Sequence, residues 1–328
     1  MIGKTERYVA ITGGVGGAKL CLGLAHNLNA EQATFVVNIG DDFEHLGLHI
    51  SPDLDTLTYT LAGVSNPELG WGRQGETWNC ITALAEIGGD DWFNLGDKDL
   101  AIHLRRTEML KSGLTLTEVT EKLTRSFSIE HKVLPVSDDR VRTIAHTEIG
   151  SLDFQHYFVR EKCVPPVRGF DFEGCARAQL TSQVQAAFGD PDLAGIIICP
   201  SNPFVSIDPM LAIPSLVGAL RKSQVPVVAI TPIVGGEAVK GPTAKIMKEL
   251  DIPVTALAVA EHYSGLIDGF IVDQQDSVLT KGISKLGIET IVAQTVMVTL
   301  PDRVKLAGET IEFLRRLRRG RQYRKCGQ

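Results

Sequence analysis

Apolar positions along this chain follow two rhythms. Residues 8–11 form an unbroken apolar run; Leu20, Leu24 and Leu28 then recur at helical spacing, and residues 33–38 are again short and β-branched. Strand, helix and strand at that spacing predict a βαβ opening. The pattern returns downstream. A helical stretch over 177–188 leads into the uninterrupted apolar run 194–199, and 225–230, 269–273 and 288–291 read as further strands. Uninterrupted runs of this kind are typical of strands buried on both faces of a parallel sheet. Val304, Ala307, Ile311 and Leu314 mark one face of a closing helix. Between about 75 and 130 the rhythm is helical without intervening strands, punctuated at Gly88-Gly89 and Gly113, which predicts a helical insertion beside the sheet. Residues 141–147 and 152–159 alternate loosely and predict a hairpin turning at Gly150. The whole is one α/β domain over 1–328 with a mostly parallel sheet.

Where the first strand ends, the chain breaks into Gly13-Gly14-Val15-Gly16-Gly17-Ala18-Lys19. Glycines let backbone N–H groups approach an anion, and the helix that follows adds the positive end of its dipole. The dinucleotide fingerprint fails because Lys19 stands where a third glycine belongs; the Walker pattern fails at Ala18 and Leu20. The loop is of nucleotide type but of neither standard kind, unless it is a tight turn without a ligand. A second glycine-rich loop, 231–245, carries Lys240 and Lys245 ahead of another helical pattern, and two anion cradles point to a diphosphate. Pro200-Ser201-Asn202-Pro203 presents an amide at a strand's carboxyl end, with both donors and an acceptor suited to a base edge; a structural turn is the alternative.

Acids cluster at similar places. Asn38-Ile39-Gly40-Asp41-Asp42 ends the second strand, either at the ligand edge of the sheet or as a polar turn. Ser51-Pro52-Asp53-Leu54-Asp55-Thr56 opens a helix, and capping needs only one acid, so Asp53 and Asp55 together invite a hard divalent cation such as Mg²⁺; plain capping is the other reading. Trp71, Trp78 and Trp92 are core residues or a flat aromatic wall, His103, Arg105 and Arg106 read as a solvated face, and 315–325 as a basic solvated tail.

Composition narrows the partners. With 328 residues, 44% hydrophobic, 22% charged and a formal net charge of -6, the surface is not a nucleic-acid or membrane footprint, and small molecules are the expected partners. The six cysteines show no C-x-x-C spacing, which argues against a zinc cage or a disulfide framework and fits a reduced cytoplasm. No uncharged apolar run reaches membrane-spanning length.

Taken together, the glycine loop 13–19, Ser51-Pro52-Asp53-Leu54-Asp55-Thr56, Leu95-Gly96-Asp97-Lys98-Asp99, Leu134-Pro135-Val136-Ser137-Asp138-Asp139, Pro200-Ser201-Asn202-Pro203 and Gly241-Pro242-Thr243-Ala244-Lys245 resemble the 2-phospho-L-lactate transferase family (CofD/FbiA) of coenzyme F(420) biosynthesis, over about residues 8–300. The resemblance implies a Rossmann-like core with helices on both faces, an inserted helical subdomain, and Mg²⁺ dependence. It also implies transfer of a phospholactyl, phosphoenolpyruvyl or phosphoglyceryl group from a guanylylated donor to the terminal ribityl hydroxyl of the deazaflavin Fo, releasing GMP. On this reading Gly13, Gly14, Gly16, Gly17, Lys19, Ser201, Asn202, Lys240 and Lys245 hold the donor. Asp53 and Asp55 hold Mg²⁺ and orient the attacking hydroxyl, with Asp41, Asp42, Asp97 and Asp138 as further candidates. The family position matching Asp55 contacts the deazaflavin; a second contact, usually Arg or Lys, falls on Asn94 here, a departure from the pattern. A possible homodimer is compatible with the reading. Two alternatives compete: a YvcK-like nucleotide-sugar-binding protein without catalysis, against which the Asp53 and Leu95-Gly96-Asp97 motifs count, and a NAD-dependent oxidoreductase, against which the broken fingerprint counts.

Overall fold

A computed structural model describes residues 6–67 and 70–326, with side chains described as far as Arg321. Seven strands form the central sheet: β1 (Arg7–Thr12), β2 (Ala33–Val37), β3 (Lys132–Pro135), β4 (Leu193–Ile198), β5 (Val227–Ile230), β6 (Gly269–Asp273) and β7 (Glu289–Ala293). Their spatial order is β7-β6-β5-β4-β1-β2-β3, and every neighbouring pair is parallel. This is the Rossmann-like α/β arrangement expected, in which the strand order reverses between β1 and β4 and leaves a crevice at their carboxyl ends. Ile196, Ile197 and Ile198 are fully buried, as strands covered on both faces require.

Helix α1 (Gly14–Asn27) follows β1, and the closing helix (Leu300–Cys326) packs along it and over β4. At Gly23 a Cβ would lie 2.1 Å from the Arg303 carbonyl oxygen, so the two helices meet there at backbone distance. The expected solvated tail is instead part of this helix. Arg315 and Arg318 bond Glu6 at 2.7 and 3.4 Å, and Arg321 pairs with Asp268; the side chains of the basic run beyond Arg321 lie outside the described residues.

Between α2 (Pro52–Leu61) and β3 lie α3 (Asn79–Glu86), α4 (Asp97–Lys111) and α5 (Leu116–Ser126), with no strand of the central sheet among the described residues. Two sequence motifs act here as helix starts. Asp97 accepts the backbone N–H groups of Asn79 and Cys80 and the Thr77 hydroxyl, which holds its carboxyl down to about 2. Asp138 likewise accepts Thr117 N–H and hydroxyl at 2.8 Å on the first turn of α5, which also has a Thr115/Glu118 capping box.

The hairpin turns as expected at Gly150, joining Arg142–Thr147 to Gly150–Asp153, with Val167–Glu173 as its third strand. Its second strand is shorter than the alternation predicted. From His156 to Arg160 the chain is a π-helix in which Tyr157 is fully buried in the core and Phe158 is exposed.

Candidate functional site

A cavity of about 550 Å³ opens at the carboxyl ends of β1 and β4. The glycine loop and residues 200–206 form its floor, Asp41 and Asp53 one side, the 231–243 loop with Thr295 and Met297 another. Trp71, Phe93, Asn94, Phe154 and Phe158 close it from the side of the insertion and the small antiparallel sheet.

The floor depends on backbone geometry. Gly14 has φ +63°, a left-handed value that costs a side-chain-bearing residue free energy, and its N–H donates to Asp53 Oδ1 at 2.6 Å. Gly13, at the N-cap of α1, has no side chain to cap the first turn, so the helix opens onto the cavity with its own N–H groups. Ser201 clasps the loop from β4: its hydroxyl donates to the Gly13 carbonyl at 2.7 Å and accepts from the Gly13 N–H at 3.1 Å. A Cβ on Gly16 would lie 2.3 Å from the Pro200 carbonyl oxygen, so the two loops meet without a side chain between them.

Lys19 and Lys240 supply positive charge to the cavity wall. Lys19 Nζ donates to the Met297 carbonyl at 3.1 Å; burial first, then the nearby Arg303 and Lys240 cations, push its pKa down. An anion beside it would reverse that unfavourable balance. Asn202 fixes its own amide orientation. Its Oδ1 accepts the Phe204 N–H at 3.0 Å, leaving the buried Nδ2 with no partner among the described residues and at the cavity wall. A buried donor without an acceptor is costly, and a ligand oxygen or ring nitrogen would satisfy it.

The acids form two separate networks. Asp53 Oδ2 and Asp41 Oδ1 share the Asn38 amide at 3.0 and 3.2 Å, and Asp41 Oδ2 accepts Gln155 Nε2 at 3.2 Å. Asp42, next in the chain, is tied to His49 and to the Ser51 hydroxyl. Burial raises the Asp53 carboxyl to about 6; burial, then Asp53 and Asp42, raise Asp41 well above the usual carboxylate range. Amide donors alone do not neutralise the pair, and a hard cation fits two buried carboxylates in this state.

Asp55, two residues further along α2, is turned away from the cavity. Both its oxygens bond the Arg106 guanidinium, one at 3.0 Å, and both residues are buried. Arg106 Nη1 also donates to His103 Nδ1 at 3.1 Å; His103 Nε2 lies 3.4 Å from Asp99, which accepts the Tyr59 hydroxyl. Asp55, Asp99 and His103 bring ligand atoms within 4.8 Å of one another, but Arg106 already provides the cation there. His103 and Arg106 therefore depart from the solvated face expected of them, which holds only for Arg105, because the network buries both against α2.

Of the sequence candidates, Gly13, Gly14, Gly16, Lys19, Asp53, Asn94, Ser201, Asn202 and Lys240 all line the cavity. Gly17 packs behind it against Thr12 and Ser201, and Lys245 pairs with Glu249 beneath the ring of Tyr157. Trp71 lines the mouth with its edge toward Trp78, whereas Trp92 packs in a small core with Phe43 and Phe93. Phe154, Gln155 and Phe158 line the cavity as well, without a motif in the sequence to mark them. Phe154 and Phe158 stack at 5.5 Å with 6° between ring planes, a flat wall whose i, i+4 spacing was the available signal.

The sequence model described as "2-phospho-L-lactate transferase CofD" matches residues 8–300. The chain belongs to the CofD family. Among proteins similar to this CofD-family chain is the phosphoenolpyruvate transferase of Streptomyces coelicolor, 37% identical over 318 residues, covering 95% of this chain and 99% of that one. Another, the phosphoenolpyruvate transferase of Mycolicibacterium smegmatis, is 38% identical over 298 residues, covering 84% and 90%. A UPF0052-family protein from Bacillus halodurans has the same fold, with TM-score 0.60, 15% identity and coverage of 94% of this chain and 99% of its own. Among the described residues no single helix is long and apolar enough to cross a membrane.

Proposed function

We propose that this CofD-family transferase moves a phosphoenolpyruvyl, phospholactyl or phosphoglyceryl group from a guanylylated donor to the ribityl hydroxyl of the deazaflavin Fo, releasing GMP. One observation supports this above the others: a single cavity at the sheet's reversal point joins a glycine-rich helix start, two cations, two buried carboxylates and a flat aromatic wall. Those are the recognition elements of a diphosphate, a cation and a planar ring.

In this reading the donor's diphosphate lies across the start of α1 between Lys19 and Lys240. Asn202 Nδ2 offers a donor to the base, which suits the O6 of guanine and opposes the amino group of adenine. The residues fit Mg²⁺ at Asp53 and Asp41, rather than at Asp53 and Asp55, because Arg106 occupies Asp55. When bound, the ion neutralises charge on the phosphoryl oxygens. The chain's part is positioning: the acceptor ring packs on Phe154, Phe158 and Trp71, which directs the ribityl end toward the acids. The hydroxyl oxygen forms the new O–P bond, the anhydride bond to GMP breaks, and the hydroxyl proton leaves to a carboxylate oxygen of the Asp41–Asp53 pair.

Incubation with Fo, Mg²⁺ and each guanylylated acid in turn, followed by mass spectrometry, tests the assignment. Stoichiometric GMP and an Fo adduct are expected with one of the three. Absence of an adduct with all three, together with tight binding of a nucleotide sugar or NAD, would overturn it.

A further inference from the structure

The π-helix that interrupts the predicted hairpin connects the two halves of the cavity. Phe154, Gln155, Phe158 and Val159 all line it, whereas Tyr157 between them is anchored in the core. Gln155 is only 4% exposed, and its amide reaches across from this turn to Asp41 Oδ2 at 3.2 Å, 114 residues away in sequence. Asp41 shares the Asn38 amide with Asp53, which in turn holds the Gly14 N–H. A continuous line of hydrogen bonds thus runs from the turn carrying the aromatic wall to the glycine loop.

We infer that Gln155 is a positioning residue that couples the docking of the flat acceptor on Phe154 and Phe158 to the cation-holding geometry of Asp41 and Asp53. The inference rests on the proposed acceptor and cation sites. A planar ring on Phe158, which is 39% exposed, orders the π-helical turn, and the same turn carries the Gln155 amide. Acceptor and cation then share one ordering cost, so each tightens the other's binding. The geometry that carries this is the placement of one buried amide on the wall's own turn and on an acid of the pair. π-Helical turns of this kind are common at functional sites.

The test compares the full-length wild type with Gln155→Met, which keeps the side chain's length and removes its hydrogen bond. Mg²⁺ affinity is measured by calorimetry with and without saturating Fo, and Fo affinity by tryptophan quenching. In the wild type Fo should lower the Mg²⁺ dissociation constant about fivefold or more. In Gln155→Met that ratio should fall within about twofold of unity, with Fo affinity in the absence of Mg²⁺ unchanged. At saturating Mg²⁺ the variant's affinity for Fo should fall by the same factor by which Fo tightens Mg²⁺ in the wild type, a split between Mg²⁺-free and Mg²⁺-loaded binding that loss of packing alone would not produce. Phe158→Leu is the contrasting variant, weakening Fo while Mg²⁺ affinity without Fo stays at the wild-type value. Retained coupling in Gln155→Met, or a wild type in which Fo and Mg²⁺ bind independently, overturns the inference while transfer by the wild type leaves the proposed reaction standing. A wild type that neither binds Fo nor transfers to it overturns both.

Discussion

Asp53 and Asp55 stand two residues apart on the first turn of one helix, and the protein uses them in opposite ways. Asp55 meets a buried guanidinium, the charge is neutralised inside the chain, and the pair braces α2 against α4. Among the described residues Asp53 meets only amide and backbone donors, shares the Asn38 amide with a second acid, and faces the cavity. Identical side chains in nearly identical local sequence are separated by what lies opposite them. An acid with an internal cation is part of the frame, whereas the one without is left facing the cavity.

Breaking the brace should have the largest effect. Arg106→Met leaves Asp55 buried without its guanidinium, with only His103 Nδ1 at 3.7 Å beside it among the described residues, and about 3–5 kcal/mol of stability should be lost in denaturant unfolding. Adding Asp55→Leu to that variant should restore most of it. A double variant no more stable than Arg106→Met would mean that His103, 3.7 Å from Asp55, takes over the guanidinium's part.

Asp53→Asn should do the reverse, lowering transfer about a hundredfold or more while stabilising the ligand-free chain. The sign follows from its carboxyl, raised to about 6 from a usual value of 3.8. The folded chain holds that proton more tightly than the unfolded one, so the destabilisation is absent below about pH 4 and complete above about pH 6. Thermal melts without Mg²⁺ should therefore show stability contributed by this group falling as pH rises through that window, and the fall should shrink in Asp53→Asn. Mg²⁺ should raise the melting temperature of the wild type at pH 7 and leave the variant nearly unmoved. Equal Mg²⁺ shifts in both would place the cation elsewhere.

A smaller effect is expected at the base. Asn202→Asp keeps an oxygen for the Phe204 N–H but turns the free donor into an acceptor, and GDP affinity by calorimetry should weaken about tenfold while ADP weakens less. Parallel losses for both nucleotides would put the base away from Asn202. Smallest of all, Trp71→Leu should raise the KM for Fo a few fold and leave GDP affinity alone, since Trp71 is only one side of the mouth and Phe154 and Phe158 remain. Unchanged Fo affinity would confine the acceptor to the phenylalanine wall.

The sheet was legible because its strands are buried on both faces, so runs such as 194–199 stand out without any tertiary information. Asp53, the glycine loop and Asn202 were legible because each falls just after a strand or at a helix start, where chain position alone implies the ligand edge. The division between Asp53 and Asp55 was not, because Arg106 lies 51 residues from Asp55 and only the packing of α4 on α2 brings them together. Phe154 and Phe158 were hidden for another reason. Over six residues an alternating pattern and a single helical turn place apolar side chains at nearly the same positions, and only the burial of Tyr157 decides between them.

The bond from Lys19 to the Met297 carbonyl spans 278 residues of sequence and sits beside the start of the closing helix. An anion bound at Lys19 would thereby be linked to the docking of that helix on α1, where Gly23 meets the Arg303 backbone. Nucleotide should slow amide hydrogen exchange along the closing helix as well as in the glycine loop, since opening either one dismantles the same joint.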